Sequence, residues 1–172
     1  HSPGSSILIT TSKDLAKNVE QELKKQLKAL DRMDLTKESL KNYGLIVAVE
    51  DITKATRLAN EIAPEHLEII TEKPETDAEA IQNAGAIFIG PYTPEAVGDY
   101  VAGPSHILPT GGSARFCSGV SANSFLKRTS IIKYSEDALK KHAPDIKTIS
   151  SAEGLDAHFK STKIRLNFLN NQ

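Results

Sequence analysis

Two neighbouring residues of this chain, Glu65 and His66, could both take up and release protons. They follow Pro64 in the segment APEHLEI (63–69) and stand just before an apolar run. Carboxylates and imidazoles are the side chains that most often act as general acids and bases. A Glu-His pair also occurs in ordinary surface turns that lead into a strand. From the pair alone, both interpretations stay open.

A second group of candidates lies in the long segment 91–119, PYTPEAVGDYVAGPSHILPTGGSARFCSG, which contains Asp99 and His106. A loop of this length in a compact domain is usually functional or disordered, and the apolar residues within it argue against disorder. Gly and Pro residues fix its turns. Asp99 and His106 are therefore candidate functional residues, although the pattern alone permits a structural role equally well.

The remaining candidates are near the end of the chain. His158 follows Glu153 by five residues, which in one continuous helix sets the two side chains about 140° apart. Gly154 lies between them and predicts a helix junction that could turn both toward one site. His142, in KKHAP, is expected to be solvated.

Known short motifs are missing from the sequence. It has neither HExxH nor paired CxxC, and neither GxGxxG nor GxxxxGK[ST]. Scattered histidine and aspartate side chains can still build a zinc site, since imidazole nitrogen and carboxylate oxygen are ordinary zinc ligands. By motif, the chain has no nucleotide-binding site of its own.

Composition narrows the classes of function. The chain has 172 residues, 39% of them hydrophobic, and a net charge of −1 with no basic run, which argues against nucleic-acid binding. The single cysteine, Cys117, excludes an intrachain disulfide framework and suits a reducing compartment.

No apolar stretch approaches the roughly 20 residues of a membrane span. The start lacks a signal-peptide pattern. It also lacks a methionine, so either a trimmed chain or a piece of a longer one is expected.

The first ninety residues alternate between short apolar runs and amphipathic segments. This alternation predicts parallel strands with helices packed on the faces of the sheet. Ligands bind beyond the carboxyl ends of such strands, so the loop after residue 90 should carry the chemistry. The predicted strands are ILIT (7–10), GLIVAVE (44–50), HLEII (66–70) and AIFIG (86–90). Ser12 is the expected N-cap of the helix that follows the first strand. The helix PETDAEAIQNAG (74–85) is expected to close at Gly85, and Thr93 and Pro94 are expected to cap and begin a short helix.

After a further strand candidate, TSIIKYS (129–135), the character of the chain changes. The last part consists of amphipathic helical stretches with breaks predicted at Pro144 and Gly154. Such a tail is too small to have its own core. It must pack on the preceding domain or on another subunit.

Four segments of the chain carry a family resemblance: APEHLEI, GAIFIGPYTPEAVGDYVAGPSHILPTGGSARF, SFLKRTSII and SSAEGLDAHFKSTKIR. Together they resemble the C-terminal part of histidinol dehydrogenase, and the resemblance covers nearly the whole chain. That family oxidises L-histidinol to L-histidine in two steps through an aldehyde, with two NAD⁺ and a bound zinc ion, and so completes histidine biosynthesis.

The resemblance implies a role for each candidate residue. By position, Glu65 and His66 match the family's acid–base pair, and this use of two adjacent groups fits a two-step oxidation. Since neighbours in an extended strand point to opposite faces, the pair is expected at a bend after Pro64. Asp99 and His158 match zinc ligands, His158 being the one that a partner subunit donates. The resemblance implies that Asp99, His158 and His66 also touch the substrate.

Three further positions follow from the same match. His106 and Glu153 match residues that hold the substrate. His1 matches another zinc ligand, part of a Gln-x-x-His motif whose glutamine is not in this chain; a leading histidine is also typical of a purification tag.

The resemblance also implies an architecture and partners. Residues 1–134 are expected to form the second half of a Rossmann-like three-layer α/β domain that bears the zinc and the substrate. Residues 135–172 are expected to form a small helical dimer-forming tail. The expected partners are L-histidinol, one zinc ion per site and a second copy with exchanged tails, in the cytoplasm, or in a plastid if the source is a plant. Neither nucleic acid nor membrane is expected.

The length of the chain leaves alternatives open. The family is more than twice as long, and its N-terminal half carries most of the NAD-binding surface and part of the main sheet. This chain is therefore expected to be inactive alone. It could instead be a non-catalytic binding or assembly module, or one half of a split enzyme.

Overall fold

The computed structural model describes residues 4–169 and divides the chain into two compact units, residues 1–126 and 127–172. Strands and helices alternate in the first unit, and helices make up the second. The elements are β1 (Ile7–Thr10), α1 (Lys13–Gln26), α2 (Met33–Tyr43), β2 (Leu45–Ala48), α3 (Ile52–Ile62), β3 (His66–Ile69), α4 (Pro74–Glu79), β4 (Ala86–Ile89), α5 (Glu95–Tyr100), α6 (Glu136–Ala152) and α7 (Asp156–Leu169), with 3₁₀ turns at Leu27–Ala29, Ser113–Arg115 and Ala122–Phe125.

The strands form two parallel pairs, β1 with β2 and β3 with β4. In register, Ile7 lies opposite Leu45, and His66 lies opposite Ala86. Helices supply the crossover that parallel strands require, α1 and α2 in the first pair and α4 in the second. The mixed α/β class with parallel strands is therefore confirmed. Within residues 4–169 no strand joins the two pairs, so one continuous three-layer sheet is not confirmed.

Side-chain caps fix where two of the helices begin. The Ser12 hydroxyl accepts a hydrogen bond from the Leu15 N–H at 3.1 Å, as the sequence predicts for the start of α1. At the start of α3, the Asp51 carboxylate accepts one from the Lys54 N–H at 2.7 Å. A cap of this kind stabilises a helix by about 0.5–2 kcal/mol.

The end of α3 has an unusual backbone. Ala63 adopts the left-handed conformation, with φ 51° and ψ 64°, and is almost completely buried. Pro64 follows, the chain bends at Glu65, and β3 begins at His66. The bend predicted after Pro64 is thereby confirmed.

Two elements differ in extent from the sequence prediction. The helix predicted to run to Gly85 ends at Glu79, because the segment after it is tied to α3 by hydrogen bonds described below. α5 begins at Glu95 with Pro94 as its cap, whereas the Thr93 hydroxyl donates to the Ile89 carbonyl at 2.8 Å instead of capping the helix.

In the second unit the prediction of a strand at 129–135 is wrong. No strand forms there within the described chain, and Ile131 and Ile132 are 93% and 83% exposed, since no neighbouring edge offers them a partner.

The break predicted at Pro144 is also wrong. Proline removes one helical hydrogen bond, but α6 continues through it. Packing on α7 compensates, with Ala143, Ser150 and Thr162 buried. The junction predicted at Gly154 is confirmed, since this residue has φ 72° and separates the two helices.

The apolar interior of the first unit is small. Its buried apolar side chains are Ala59, Ala63, Ile69, Phe88 and Ala114. Large apolar side chains of the strands remain partly exposed to solvent; Leu45 of β2, for example, is 52% exposed.

In the part of the chain that the structure describes, no helix has the length and apolar character needed to cross a bilayer.

Candidate active site

One face of the β3–β4 pair carries the candidate site. Side chains alternate along a strand, so His66 and Glu68 of β3 lie on the same face. Their register partners on β4 are Ala86 and Phe88, which share that face. Two ionisable residues thus stand beside a buried aromatic ring in a sheet that is otherwise apolar.

Helix α5 lies across this face, and two contacts fix it there. Gly98 rests against the Phe88 ring so closely that an added Cβ would lie 2.6 Å from a ring carbon. The backbone N–H of Glu95, at the start of the helix, donates to the Glu68 carboxylate at 2.8 Å. A glycine at position 98 is therefore what allows the helix to approach the sheet.

The approach of α5 completes a three-residue cluster of His66, Glu95 and Asp99. Glu95 and Asp99 are four residues apart and so lie on one side of the helix. From the His66 Nε2 atom, the Glu95 Oε1 atom is 3.7 Å away and the Asp99 Oδ1 atom 3.9 Å away. All three residues are partly buried, and their ligand atoms lie within 4.8 Å of one another.

The electrostatics of this cluster favour a positive charge. The His66 Nε2 atom is buried without a hydrogen-bond partner in the part of the chain that the structure describes. Partial burial raises the pKa of the Glu95 carboxyl above its usual range, and the adjacent Asp99 carboxyl raises this pKa further. A cation bound between the two carboxylates would relieve their repulsion.

A cavity of about 330 Å³ adjoins the cluster. Asp99 and His106, both candidates from the sequence, line it together. The Phe88 ring and the Gly98 backbone form part of its wall. The structure thus brings His66 close to Asp99, and Asp99 and His106 to one cavity.

A larger cavity of about 580 Å³ lies between α3 and α4, and none of the candidate residues from the sequence lines it. Its walls include Asn60, Gln82 and Arg115.

The remaining candidates lie at separate places. Glu65 is partly buried at the bend, and its carbonyl accepts a hydrogen bond from the Ala86 N–H at 2.9 Å. Glu153 ends α6 and His158 lies in the first turn of α7; both belong to the second unit and are exposed. His1 lies outside the described residues.

Sequence reasoning did not identify Glu95, which the structure places within 3.7 Å of His66. The signal available was its spacing of four residues from Asp99, which sets both carboxylates on one side of a helix. Helix α5 runs back along the strands, and the cluster therefore includes His66, the first residue of β3. The candidate site is thus not confined to the carboxyl ends of the strands, where the sequence placed it.

Comparison with known proteins identifies the family to which this chain is similar. The family model for histidinol dehydrogenase matches residues 1–166. The histidinol dehydrogenase of Nitrobacter winogradskyi is 51% identical over 162 residues, which is 94% of this chain and 38% of that protein. The same enzyme of Caldanaerobacter subterraneus is 47% identical over 161 residues, 94% of this chain and 37% of that protein.

A solved structure shows the same fold. The crystal structure of histidinol dehydrogenase from Elizabethkingia anophelis matches with a TM-score of 0.85 and 34% sequence identity, over 95% of this chain and 38% of that chain. The chain therefore spans less than two fifths of the length of these proteins.

Proposed function

The chain belongs to the histidinol dehydrogenase family, and from this premise we propose that it carries the acid–base pair and zinc ligands of an enzyme that oxidises L-histidinol to L-histidine. The observation that carries the proposal is the cluster on the β3–β4 face, where His66 lies 3.9 Å from Asp99 beside a cavity of about 330 Å³. Pockets of this size hold small molecules.

In the first oxidation, His66 takes the hydroxyl proton of the alcohol while the hydride leaves its carbon for NAD⁺. The product is the aldehyde. A neutral imidazole accepts a proton near pH 7. The Nε2 atom suits this role because no described residue occupies it with a hydrogen bond.

In the second oxidation, Glu65 takes a proton from the water molecule that attacks the aldehyde carbon. NAD⁺, when bound, would accept the hydride of the resulting hydrate, which leaves the carboxylic acid; this acid then ionises. Glu65 and His66 are adjacent at the bend, so both can serve one substrate carbon in turn.

Asp99 would hold a zinc ion, together with His158 of a second copy and His1. When bound, zinc supplies a Lewis acid that polarises the oxygen of the substrate. The donor types fit, since carboxylate and imidazole are ordinary zinc ligands. The paired carboxylates of Asp99 and Glu95 fit as well, because their mutual repulsion favours a cation.

NAD would be bound mainly outside this chain. The sequence contains no dinucleotide-binding motif, so we assign no residue of the chain to the cofactor. Strands from the same outside part would join the two strand pairs into one Rossmann-like sheet. Cys117, a free and exposed thiol, suits the reducing cytoplasm as the location.

His106 and Glu153 would hold the substrate. His106 is exposed on the wall of the cavity that Asp99 also lines, so its imidazole can reach a bound molecule. Glu153 comes from the second unit and would act after docking of the tail.

The tail would dock on a second copy of the chain. The larger apolar side chains of the α6–α7 hairpin stay uncovered: Ile149, Ile164 and Phe168 are 61%, 68% and 64% exposed. Burying such side chains stabilises a complex by about 1.5–3 kcal/mol each. A two-fold dimer could cover both tails at once by exchanging them.

Mixing two inactive variants tests this exchange. In a dimer of Asp99→Ala with His158→Ala, one site would receive both defects and the other would be intact. Turnover should recover toward half of the wild-type value per mixed dimer. Heterodimers that form without regaining turnover would show that His158 serves its own subunit.

A second candidate function is a non-catalytic assembly module that keeps the metal site. Such a module needs the metal site alone, and the cluster of His66, Glu95 and Asp99 offers three potential ligand atoms. We use the term competent assembly for this chain together with any other part of the enzyme that turnover requires.

Product stoichiometry separates the two functions. The competent assembly should form two NADH for each histidinol consumed, and Glu65→Gln should slow oxidation of added aldehyde more than oxidation of the alcohol. If every assembly containing this chain binds zinc but forms no NADH, the module is the correct assignment.

A further inference from the structure

The bend that carries the Glu65–His66 pair has a strained start. Ala63 is the one non-glycine residue with a positive φ in the described part of the chain. A left-handed conformation costs a residue with a Cβ about 1–2 kcal/mol. The residue before a proline also favours extended conformations, so Pro64 adds to the strain. The surrounding structure must therefore impose this conformation.

Asn60, in the last turn of α3, ties the helix to the segment 80–83. Its Nδ2 atom donates to the Ala80 carbonyl at 3.0 Å. Its Oδ1 atom accepts from the N–H groups of Gln82 at 2.7 Å and Asn83 at 3.0 Å. The Asn83 Nδ2 atom donates a hydrogen bond to the backbone carbonyl of Asn60 at 3.1 Å. We refer to these four bonds as the Asn60 clamp.

The clamped segment continues directly into contacts with the bend. The Gly85 N–H donates to the Pro64 carbonyl at 2.9 Å, and the Ala86 N–H donates to the Glu65 carbonyl at 2.9 Å. Gly85 approaches so closely that an added Cβ would lie 2.5 Å from the Glu65 oxygen. The position of segment 80–85 thus fixes the backbone of the pair.

A second contact holds α3 from another direction. The Arg115 guanidinium donates to the Glu61 carbonyl, and also to the Gly112 carbonyl at 2.9 Å. A cation that binds a free carbonyl at a helix C-terminus satisfies that group and complements the helix dipole. Arg115 therefore supports the same turn from the 3₁₀ turn Ser113–Arg115, which lies within the long segment 91–119.

We propose that Asn60 is a positioning residue for Glu65 and His66, acting through segment 80–85, with Arg115 in a supporting role. Asn60 touches neither substrate nor metal; it holds the backbone from which the catalytic pair projects. The inference rests on the proposed function in one respect only, namely that Glu65 and His66 are catalytic. The structural part, that the clamp sets the position of His66, stands on the contacts above.

The test compares Asn60→Ala with Thr56→Ala in the competent assembly. Thr56 lies one turn earlier on α3, lines the same larger cavity and makes no side-chain hydrogen bond within the described chain. The first readout is the rate at which diethyl pyrocarbonate modifies His66, followed by mass spectrometry, with His142 of the second unit as internal reference. The second readout is kcat and KM, and the third is Tm.

Asn60→Ala should speed modification of His66 severalfold relative to His142, because the bend is released and Nε2 becomes accessible. It should also lower kcat by about 10- to 100-fold with little change in KM, as a misplaced catalytic group does. Asn60→Asp, which keeps the acceptor for two N–H groups, should lie in between. Thr56→Ala should behave as wild type.

The outcomes separate the clamp from the proposed function. A lower Tm with unchanged His66 modification would overturn the clamp, since Asn60 would then only stabilise the fold. Faster modification with unchanged kcat would confirm the clamp and refute the catalytic role of His66.

Discussion

The two strand pairs of the first unit are alike in build and differ in what they carry. Both consist of parallel four-residue strands joined through helices. The β1–β2 pair, ILIT and LIVA, has no ionisable residue. The β3–β4 pair, HLEI and AIFI, has His66 and Glu68 on one face.

The pairs also differ in what covers them. On β3–β4, α5 reaches the sheet through Gly98 and brings two more carboxylates. The β1–β2 pair is contacted by α1, and Ile7 and Leu45 are still 38% and 52% exposed. The proposed function assigns chemistry to the pair that has an ionisable residue in an apolar strand, and a scaffold role to its apolar counterpart.

The largest expected difference between the pairs is in turnover. His66→Asn in the competent assembly should lower kcat by about 10²–10⁴-fold, the usual contribution of a general base. Folding should be unchanged, because asparagine is polar and smaller. Ile7→Val, at the corresponding first position of β1, is the matched control and should leave kcat unaffected.

Steady-state kinetics with histidinol and with the aldehyde checks this prediction. Near-normal turnover of both substrates by His66→Asn would remove the functional distinction between the pairs.

The next effect concerns the cover of β3–β4. Gly98→Ala should lower kcat by about tenfold or more. The new methyl group would collide with the Phe88 ring and displace α5 from the sheet. Adding Phe88→Leu should restore part of the activity by making room. Ala96→Ser, on the exposed side of α5, is the control.

The measurements are the kinetics and the zinc content of the wild type, Gly98→Ala, the double variant with Phe88→Leu, and Ala96→Ser. Gly98→Ala with wild-type kinetics would show that the close packing of α5 is not required.

A smaller effect, on stability alone, is expected on β1–β2. Val47→Ala in β2 should lower the free energy of unfolding by about 1 kcal/mol, since it removes roughly two partly buried methylene equivalents. Turnover should not change. Denaturant unfolding of the competent assembly, with kcat measured on the same samples, tests this; a fall in kcat larger than twofold would give β1–β2 a role beyond scaffold.

The smallest effect concerns the ionisable residues that follow β2. Glu50 pairs with Lys54 at the surface, with side chains 80% and 54% exposed. Glu50→Gln should change the free energy of unfolding by at most about 0.5 kcal/mol, as is usual for exposed pairs. It should leave turnover unchanged, measured beside His66→Asn. Lost turnover would mean that the carboxyl end of β2 also carries chemistry.

Much of the first unit followed from local pattern. The order of strands and helices, the Ser12 cap and the bend after Pro64 depend on residues close in sequence, and the structure bears each of them out. Asp99 and His106, which were candidates because of their shared loop, line one cavity in the structure.

What the sequence did not reveal depends on contacts between distant residues. Glu95 joins the cluster only because Gly98 fits Phe88, ten residues earlier on another element. The early end of α4 depends on Asn60, twenty residues away. The segment 129–135 has strand-forming residues, yet strand formation requires a neighbouring edge that the described chain does not provide.

The central claim is that α5 brings a zinc ligand to the catalytic face of β3–β4. The most direct test is the zinc content of the competent assembly after mild chelation, with Asp99→Ala compared with Asp77→Ala. Asp77 lies on α4, which packs on the same strands, and its carboxylate accepts a hydrogen bond from the Thr71 hydroxyl. Asp99→Ala should lose its zinc, whereas Asp77→Ala should retain it. Equal zinc in wild type and Asp99→Ala would contradict the assignment of this face as the metal-bearing active site.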